Sequence, residues 1–324
     1  MSELYEVTTT RAHVLRHAPA RGQGLGAALV DIAQDLLLRH LHDAGLLDEL
    51  VFKGGTALRK LYAGSQGRFS LDLDFSVRDI GTGTGTILDL LTEQVRGLHL
   101  GRFRYDIVVR RGKPTLTIDT DLGATGQLSS KLDVNPPPWL EPVRRPWVPM
   151  PVHATYGGPL PELTSIRIEE NVAEKVARLN RTTTARDVYD LVWIWRHYRD
   201  PAGAGMDSAL VRRLSVLKVW VDAHGLNAPG TFWKPGHEAV ALDVDRWLRP
   251  RTAAEFDRED IGQLSVPAPD LDELAADLRA GFAFLREVDP DEARVAAAVA
   301  SDRDLALRML AELPGHRLAA GSCW

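Results

Sequence analysis

An apolar strand that runs into two glycines and a helix, followed after one turn by a strand with alternating carboxylates, constrains this chain more than any other feature. Residues 51–77 read VFKGGTALRKLYAGSQGRFSLDLDFSV. Val51 and Phe52 end in Lys53, Gly54-Gly55 turn the chain, and Thr56 opens an amphipathic run with Ala57, Leu58 and Leu61. After a turn from Gly64 to Gly67, Ser70-Leu71-Asp72-Leu73-Asp74-Phe75 alternates polar and apolar residues with the period of a half-buried strand. Ser70, Asp72 and Asp74 are predicted on one face, and Leu71, Leu73 and Phe75 on the other.

Two carboxylates side by side repel, and a divalent cation is the usual reason for placing them together, because Mg²⁺ takes oxygen ligands and shares them with substrate phosphates. Paired glycines let backbone N–H groups approach an anion at a helix start, where the dipole also favours negative charge. A lone D-x-D is equally what a solvent-facing strand can carry, and a lone Gly-Gly is equally an ordinary turn. In this order and separation they outline a phosphate cradle beside a metal site.

The rest of the chain supports a two-part reading. Residues 1–22 are polar, with Arg11, Arg16 and Arg21, and are expected to form an irregular arm. Leu25 to Leu47 has the pattern of a long amphipathic helix; His40 and His42, two apart on it, do not face each other and do not share a metal. The Gly-Thr repeat from Ile80 to Thr86 lacks a Gly-Lys-Ser/Thr ending and reads as a loop before a helix near Ile87. Residues 102–118 alternate on both sides of Gly112-Lys113 and predict a hairpin; Arg102, Arg104, Arg110, Arg111 and Lys113 make it the most basic patch, suited to a phosphodiester backbone or to keeping a sheet edge soluble. Residues 127–135 predict another strand, with Lys131, Asp133 and Asn135 on one face. Nine of the 19 prolines fall between Pro136 and Pro161, which predicts an extended crossing with little regular structure.

Beyond it the pattern is helical. Val172, Val176 and Leu179 form a stripe bordered by Lys175, and Asp187, Asp190, Leu191 and Ile194 recur at helical spacing on the next helix. Further helices are expected around Leu210–Val221, Val240–Leu248, Leu271–Leu285 and Val295–Leu313, with Trp220, Trp233 and Trp247 in their core. Arg246, Arg249 and Arg251 read as a solvated face, with RNA contact as the alternative. The 324 residues carry a net charge of −5, so global charge does not steer nucleic acid to the chain. No run of 18 apolar residues and no signal peptide appear, no membrane association is expected, and the one cysteine, Cys323, excludes an internal disulfide; a cytoplasmic protein is expected.

The ordered motifs Gly54-Gly55-Thr56, Arg68-x-Ser70-x-Asp72-x-Asp74-Phe75, Lys131-Leu132-Asp133, Ala173-Glu174-Lys175 and Arg186-Asp187-Val188-Tyr189-Asp190-Leu191 resemble the AbiEii branch of the DNA polymerase β-like nucleotidyltransferases. These are the toxin halves of bacterial abortive-infection and toxin–antitoxin pairs. The resemblance covers about residues 50–195. It implies an α+β fold: a nucleotidyltransferase domain with a mixed sheet over 1–165 (its last part, 136–165, being the Pro-rich crossing), then an α-helical domain over 166–324. It implies two Mg²⁺ ions held by Asp72, Asp74 and Asp133, with Asp133 also helping to deprotonate the attacking hydroxyl. Gly54, Gly55, Thr56 and Ser70 would hold the triphosphate of an NTP substrate, Lys175 would meet its charge, and Asp187 or Asp190 would orient that lysine or the nucleotide. Lys131 would offset phosphate charge, Lys53 is a weaker nucleotide-binding candidate, and Arg68 would tie the glycine loop to the D-x-D strand. The implied acceptor is the 3′ end of a tRNA, whose modification blocks translation, and the implied partner is an antitoxin. Three rivals remain at this point: an enzyme that nucleotidylates a protein hydroxyl with the same site, a non-catalytic nucleotide-binding regulator, and a metal-dependent nuclease.

Overall fold

Short apolar runs punctuated by glycines build one eight-stranded sheet in the first part of the chain. The structure, a computed structural model, describes residues 8–18, 24–79, 81–110, 113–124, 126–157, 160–180, 182–199, 205–224, 242–248, 261–297 and 299–317. Strands β1 (Leu50–Lys53), β2 (Leu73–Val77), β3 (His99–Leu100), β4 (Phe103–Arg110), β5 (Lys113–Thr120), β6 (Leu128–Asn135), β7 (Val143–Arg145) and β8 (Leu163–Ser165) lie in the order β3-β4-β5-β6-β2-β1-β8-β7. β1 is antiparallel to β2 and parallel to β8, and β2 is parallel to β6, so the sheet is mixed and the fold is α+β as expected.

The helices that cover this sheet start where side chains or glycines permit. Helix α1 (Arg11–His17) is capped by Thr10 and buries Val14 completely, so part of the expected irregular arm is helical; Arg21 lies outside the described residues. Helix α2 (Leu25–Asp43) ends before Gly45, whose φ of 75° breaks the helix and moves Leu46 into a 3₁₀ turn instead of the longer helix predicted. The glycine helix α3 (Gly54–Leu58) runs into a π turn at Arg59–Ala63, and α4 (Thr84–Val95) packs against β2, β4 and β6. Phe52 and Phe75 are ladder partners with rings 5.4 Å apart in the core, and burying each contributes about 1.5–3 kcal/mol.

The predicted hairpin is β4–β5, with Arg110 opposite Lys113. Its basic character is offset locally: Arg102 Nε donates to Asp121 at 2.7 Å, and Arg104 stands opposite Asp119. Arg111 and Gly112 lie outside the described residues. The Pro-rich stretch differs from its expectation, because it adds β7 and β8 to the sheet and forms a 3₁₀ turn at Pro151–Thr155. The reason is local: Val143–Arg145 lies between Pro142 and Pro146, so a three-residue strand fits where no proline must donate to the ladder.

Contacts divide the chain into two compact units: Met1–Pro138, Pro142–Ile166 and Gly262–Ala268 form one, and Trp139–Glu141, Arg167–Ile261 and Pro269–Trp324 the other. The return of Gly262–Ala268 to the sheet unit carries no sequence signal; Phe69 N–H donates to the Gln263 carbonyl there at 2.8 Å. The second unit contains α5 (Ile168–Leu179), α6 (Ala185–Tyr198), α7 (Ser208–His224), α8 (Val244–Trp247), α9 (Leu271–Gly281), α10 (Pro290–Ala296) and α11 (Arg303–Ala311). Trp220 and Trp247 are buried in it as predicted, while Trp233, Val240, Arg249, Arg251 and Cys323 lie outside the described residues. The helix predicted over Val295–Leu313 is broken into α10 and α11 by a 3₁₀ turn at Ala300–Asp302, where Asp302 pairs with Arg294. Glu170 on α5 is fully buried and accepts from the backbone N–H groups of Trp139 (2.9 Å) and Leu140 (3.0 Å) and from Lys218 Nζ (2.9 Å). Burial lowers the Lys218 pKa, but Glu170 and Glu174 outweigh it and leave it raised.

Candidate active site

The site in the sheet unit follows from the pleat. Phe52 and Phe75 point into the core, so the next row along β1 and β2 points to the other face. That row is Lys53, Asp74 and Asp133, which are successive ladder partners across β1, β2 and β6. The structure thus sets Asp133 beside Asp74, although 59 positions separate them in the chain. Lys131 Nζ pairs with the Asp133 carboxylate, with both side chains partly exposed.

Asp72 is placed differently from the prediction. β1 ends at Lys53, opposite Asp74, so no β1 residue stands opposite Asp72; β2 begins only at Leu73, and Ser70–Asp72 lies outside the ladder. Leu71, expected on the core face, is 47% exposed for the same reason. What holds this segment is Thr56, whose hydroxyl donates to the Asp72 carbonyl. Thr56, expected to bind nucleotide, is fully buried and ties the glycine helix to the D-x-D segment.

Gly54 is required sterically, and Gly55 leaves room for the Arg68 side chain. Gly54 has φ of 76°, and a Cβ there would overlap the Asp74 carboxylate. A Cβ at Gly55 would stand 2.5 Å from Arg68 Nη2 and 3.1 Å from Ser70 Oγ, so Arg68 and Ser70 lie close against the glycine turn. Ser70 itself is buried, with 5% exposure. Gly54→Ala is therefore expected to lose about 1–2 kcal/mol through its left-handed backbone and, by displacing Asp74, to lose nucleotidyl transfer. Gly97→Ala is the control: its φ is 66° but no atom lies within 4 Å of the added Cβ. Thermal stability should fall in both variants, and further in Gly54→Ala, where the added Cβ also displaces Asp74; transfer should fall in Gly54→Ala only, and equal transfer in the two would remove the steric argument.

Among the described residues, no three His, Cys, Asp or Glu side chains form a ready-made metal cage. The donor set still suits a hard divalent cation. Asp74 and Asp133 bring like-charged oxygens together on adjacent parallel strands, Asp72 precedes Asp74 by two positions, and Gly54 leaves room at the Asp74 carboxylate.

In the second unit, Lys175 lies between α5 and α6 with 3% exposure. Its Nζ is 3.1 Å from Asp187 Oδ1 and 2.7 Å from Asp190 Oδ2. Thr184 caps α6 and its hydroxyl donates to Asp187 Oδ2 at 2.8 Å; Arg178 approaches Asp187 at 3.5 Å. The structure brings these three predicted residues together as one buried charge cluster. Sequence reasoning passed over Arg59 and Lys60, because two adjacent cations near a helix end are ordinarily solvent-facing and only the fold shows them buried.

The profile of a family described as the AbiEii nucleotidyl transferase toxin of type IV toxin–antitoxin systems matches residues 35–300. The chain is similar to MenT4, a nucleotidyltransferase toxin from Mycobacterium tuberculosis H37Rv, with 34% identity and a TM-score of 0.77 over 94% of this chain and 99% of that one. No curated protein matches the sequence. No helix among the described residues is long and apolar enough to cross a membrane.

Proposed function

This chain belongs to the AbiEii family of nucleotidyltransferase toxins, and from that premise we propose that it transfers a nucleoside monophosphate from an NTP to the 3′ hydroxyl of a tRNA and so blocks translation. The observation that carries the proposal is the row of Asp74 and Asp133 beside a glycine turn whose first residue, Gly54, cannot accept a side chain without displacing Asp74. A carboxylate pair next to a phosphate cradle suits attack of a hydroxyl oxygen on the α-phosphorus, with the bond to the pyrophosphate oxygen breaking in line.

In this reading Asp72, Asp74 and Asp133 hold divalent metal, Mg²⁺ being the ion that fits such donors and a triphosphate. Bound there, the metal ions supply charge stabilisation to the attacking and leaving oxygens. In the same reading Asp133 also helps to take the acceptor's proton. Gly54, Gly55 and Ser70 orient the triphosphate, with Lys53, Arg68 and Lys131 contributing positive charge around the row. Lys175 of the second unit is assigned to the nucleotide, oriented by Asp187 and Asp190. A toxin of this family implies a cognate antitoxin, and we take that protein to be the partner that restrains the activity in the cytoplasm.

The test is incubation of the protein, and of Asp72→Ala, with total tRNA, Mg²⁺ and each α-labelled NTP. Label entering tRNA with the wild type and not with the variant is expected. Label entering a protein and no RNA would replace the tRNA acceptor with a protein hydroxyl at the same site. Omitting Mg²⁺ and adding EDTA should abolish labelling; labelling that persists would remove the metal from the reading.

A further inference from the structure

Four charges buried beneath α2 take no part in the chemistry above. Asp31, Asp35 and Lys60 are fully buried and Arg59 is 1% exposed. Lys60 Nζ donates to Asp31 Oδ1 at 2.9 Å, to the Asp31 carbonyl at 3.1 Å and to Asp35, while Tyr156 donates to Asp35 Oδ2 at 2.9 Å. Arg59 Nε is 3.1 Å from both Asp31 oxygens. Burial alone would raise the Asp31 pKa, but Arg59 and Lys60 outweigh it and hold the carboxyl well below its ordinary range, so the cluster is ionic. Burying ions is costly, and apolar residues of similar volume often stabilise a core as well or better.

Arg59 does something an apolar residue cannot. Its Nη1 donates to the carbonyls of Gly64 (3.3 Å) and Gly67, and its guanidinium carbon lies 3.8 Å from the centre of the Phe69 ring. His17 closes the other side, 2.7 Å from Asp31 Oδ2 and edge-on to Phe69. The segment from Gly64 to Asp72 has no strand partner, because β2 begins at Leu73. Its downstream end is held by Thr56 at the Asp72 carbonyl, and its upstream end by Arg59.

We propose that Arg59, anchored by Asp31, is a positioning residue for nucleotidyl transfer that fixes the Gly64–Phe69 segment and through it the placement of Ser70 and Asp72. The proposal rests on the site assigned to Asp72 above. Arg59→Lys is the informative variant, since it keeps a cation beside Asp31 but cannot span the carboxylate and two carbonyls as a planar fork does. Phe69→Leu removes the stacked ring and leaves every charge in place.

The experiment is calorimetric titration of the full chain with a non-hydrolysable NTP analogue and Mg²⁺, for the wild type, Asp72→Ala, Arg59→Lys and Phe69→Leu. A positioning role raises Kd while the number of sites per chain stays that of the wild type; partial unfolding lowers the number of sites and leaves Kd alone. Arg59→Lys is expected to raise Kd roughly tenfold, the size of effect that one misplaced polar group produces, and Phe69→Leu to raise it less. Wild-type Kd in Arg59→Lys, at any site number, overturns the proposal while Asp72→Ala shows weakened binding. Binding by Asp72→Ala equal to that of the wild type removes the site assignment itself, and the positioning role with it, whatever Arg59→Lys does.

Discussion

Lys175→Met is expected to lower the stability of the helical unit by about 3–5 kcal/mol, because it leaves two buried carboxylates without their shared cation. Asp187 is completely buried and Asp190 is 2% exposed, so solvent does not replace the ammonium group. Arg178 approaches Asp187 only at 3.5 Å and is itself half exposed, which makes it a weak substitute. Urea unfolding of the full chain, followed by far-UV circular dichroism, measures the loss. A change below about 1 kcal/mol, the value of an exposed ion pair, would mean that the cluster is solvated in solution. The triple variant Lys175→Met, Asp187→Asn, Asp190→Asn separates stability from function. Removing all three charges should recover much of the stability. If Lys175 meets the nucleotide, transfer stays lost; recovery of transfer along with stability would make the lysine a purely structural bridge.

Asp74→Asn and Asp133→Asn are each expected to reduce nucleotidyl transfer by about 10³-fold or more, which corresponds to several kcal/mol of transition-state stabilisation. The two residues are ladder partners, so they should act as one unit, and the double variant should be no more than about tenfold worse than either single one. Initial rates of label transfer at saturating NTP measure this. Fully multiplicative losses would show that the two carboxylates contribute independently, and an active Asp133→Asn would leave Asp72 and Asp74 as the working pair. Lys131 sharpens the comparison. It pairs with Asp133, so Lys131→Ala frees that carboxylate and should alter transfer far less than loss of the carboxylate itself.

Much of this molecule is legible in its sequence because local periodicity decides which face a side chain takes. The alternation through Leu73, Asp74 and Phe75 places the carboxylate opposite the core, and the stripe of Val172, Val176 and Leu179 predicts helix α5 and the position of Lys175 at its border. The same rule misplaced Leu71, since alternation has meaning only where a partner strand continues, and β1 stops at Lys53. The Pro-rich stretch was misread for a related reason: proline forbids a donor at its own position, not a strand of three residues between two prolines.

What the sequence by itself determined is therefore the type of the longer periodic elements, the face of Asp74 and the family. Only the tertiary structure decided which charges meet. Asp133 lies beside Asp74 because β6 runs parallel to β2, and Asp31 reaches Arg59 because folding brings α2 beside the π turn at Arg59–Ala63. Asp31 and Asp35, four apart on α2, carry the periodicity of a helix face, but nothing local distinguishes a solvated acidic face from a buried one. That distinction is made by long-range packing, in which a carboxylate becomes stable away from water only when a distant part of the chain delivers its cation.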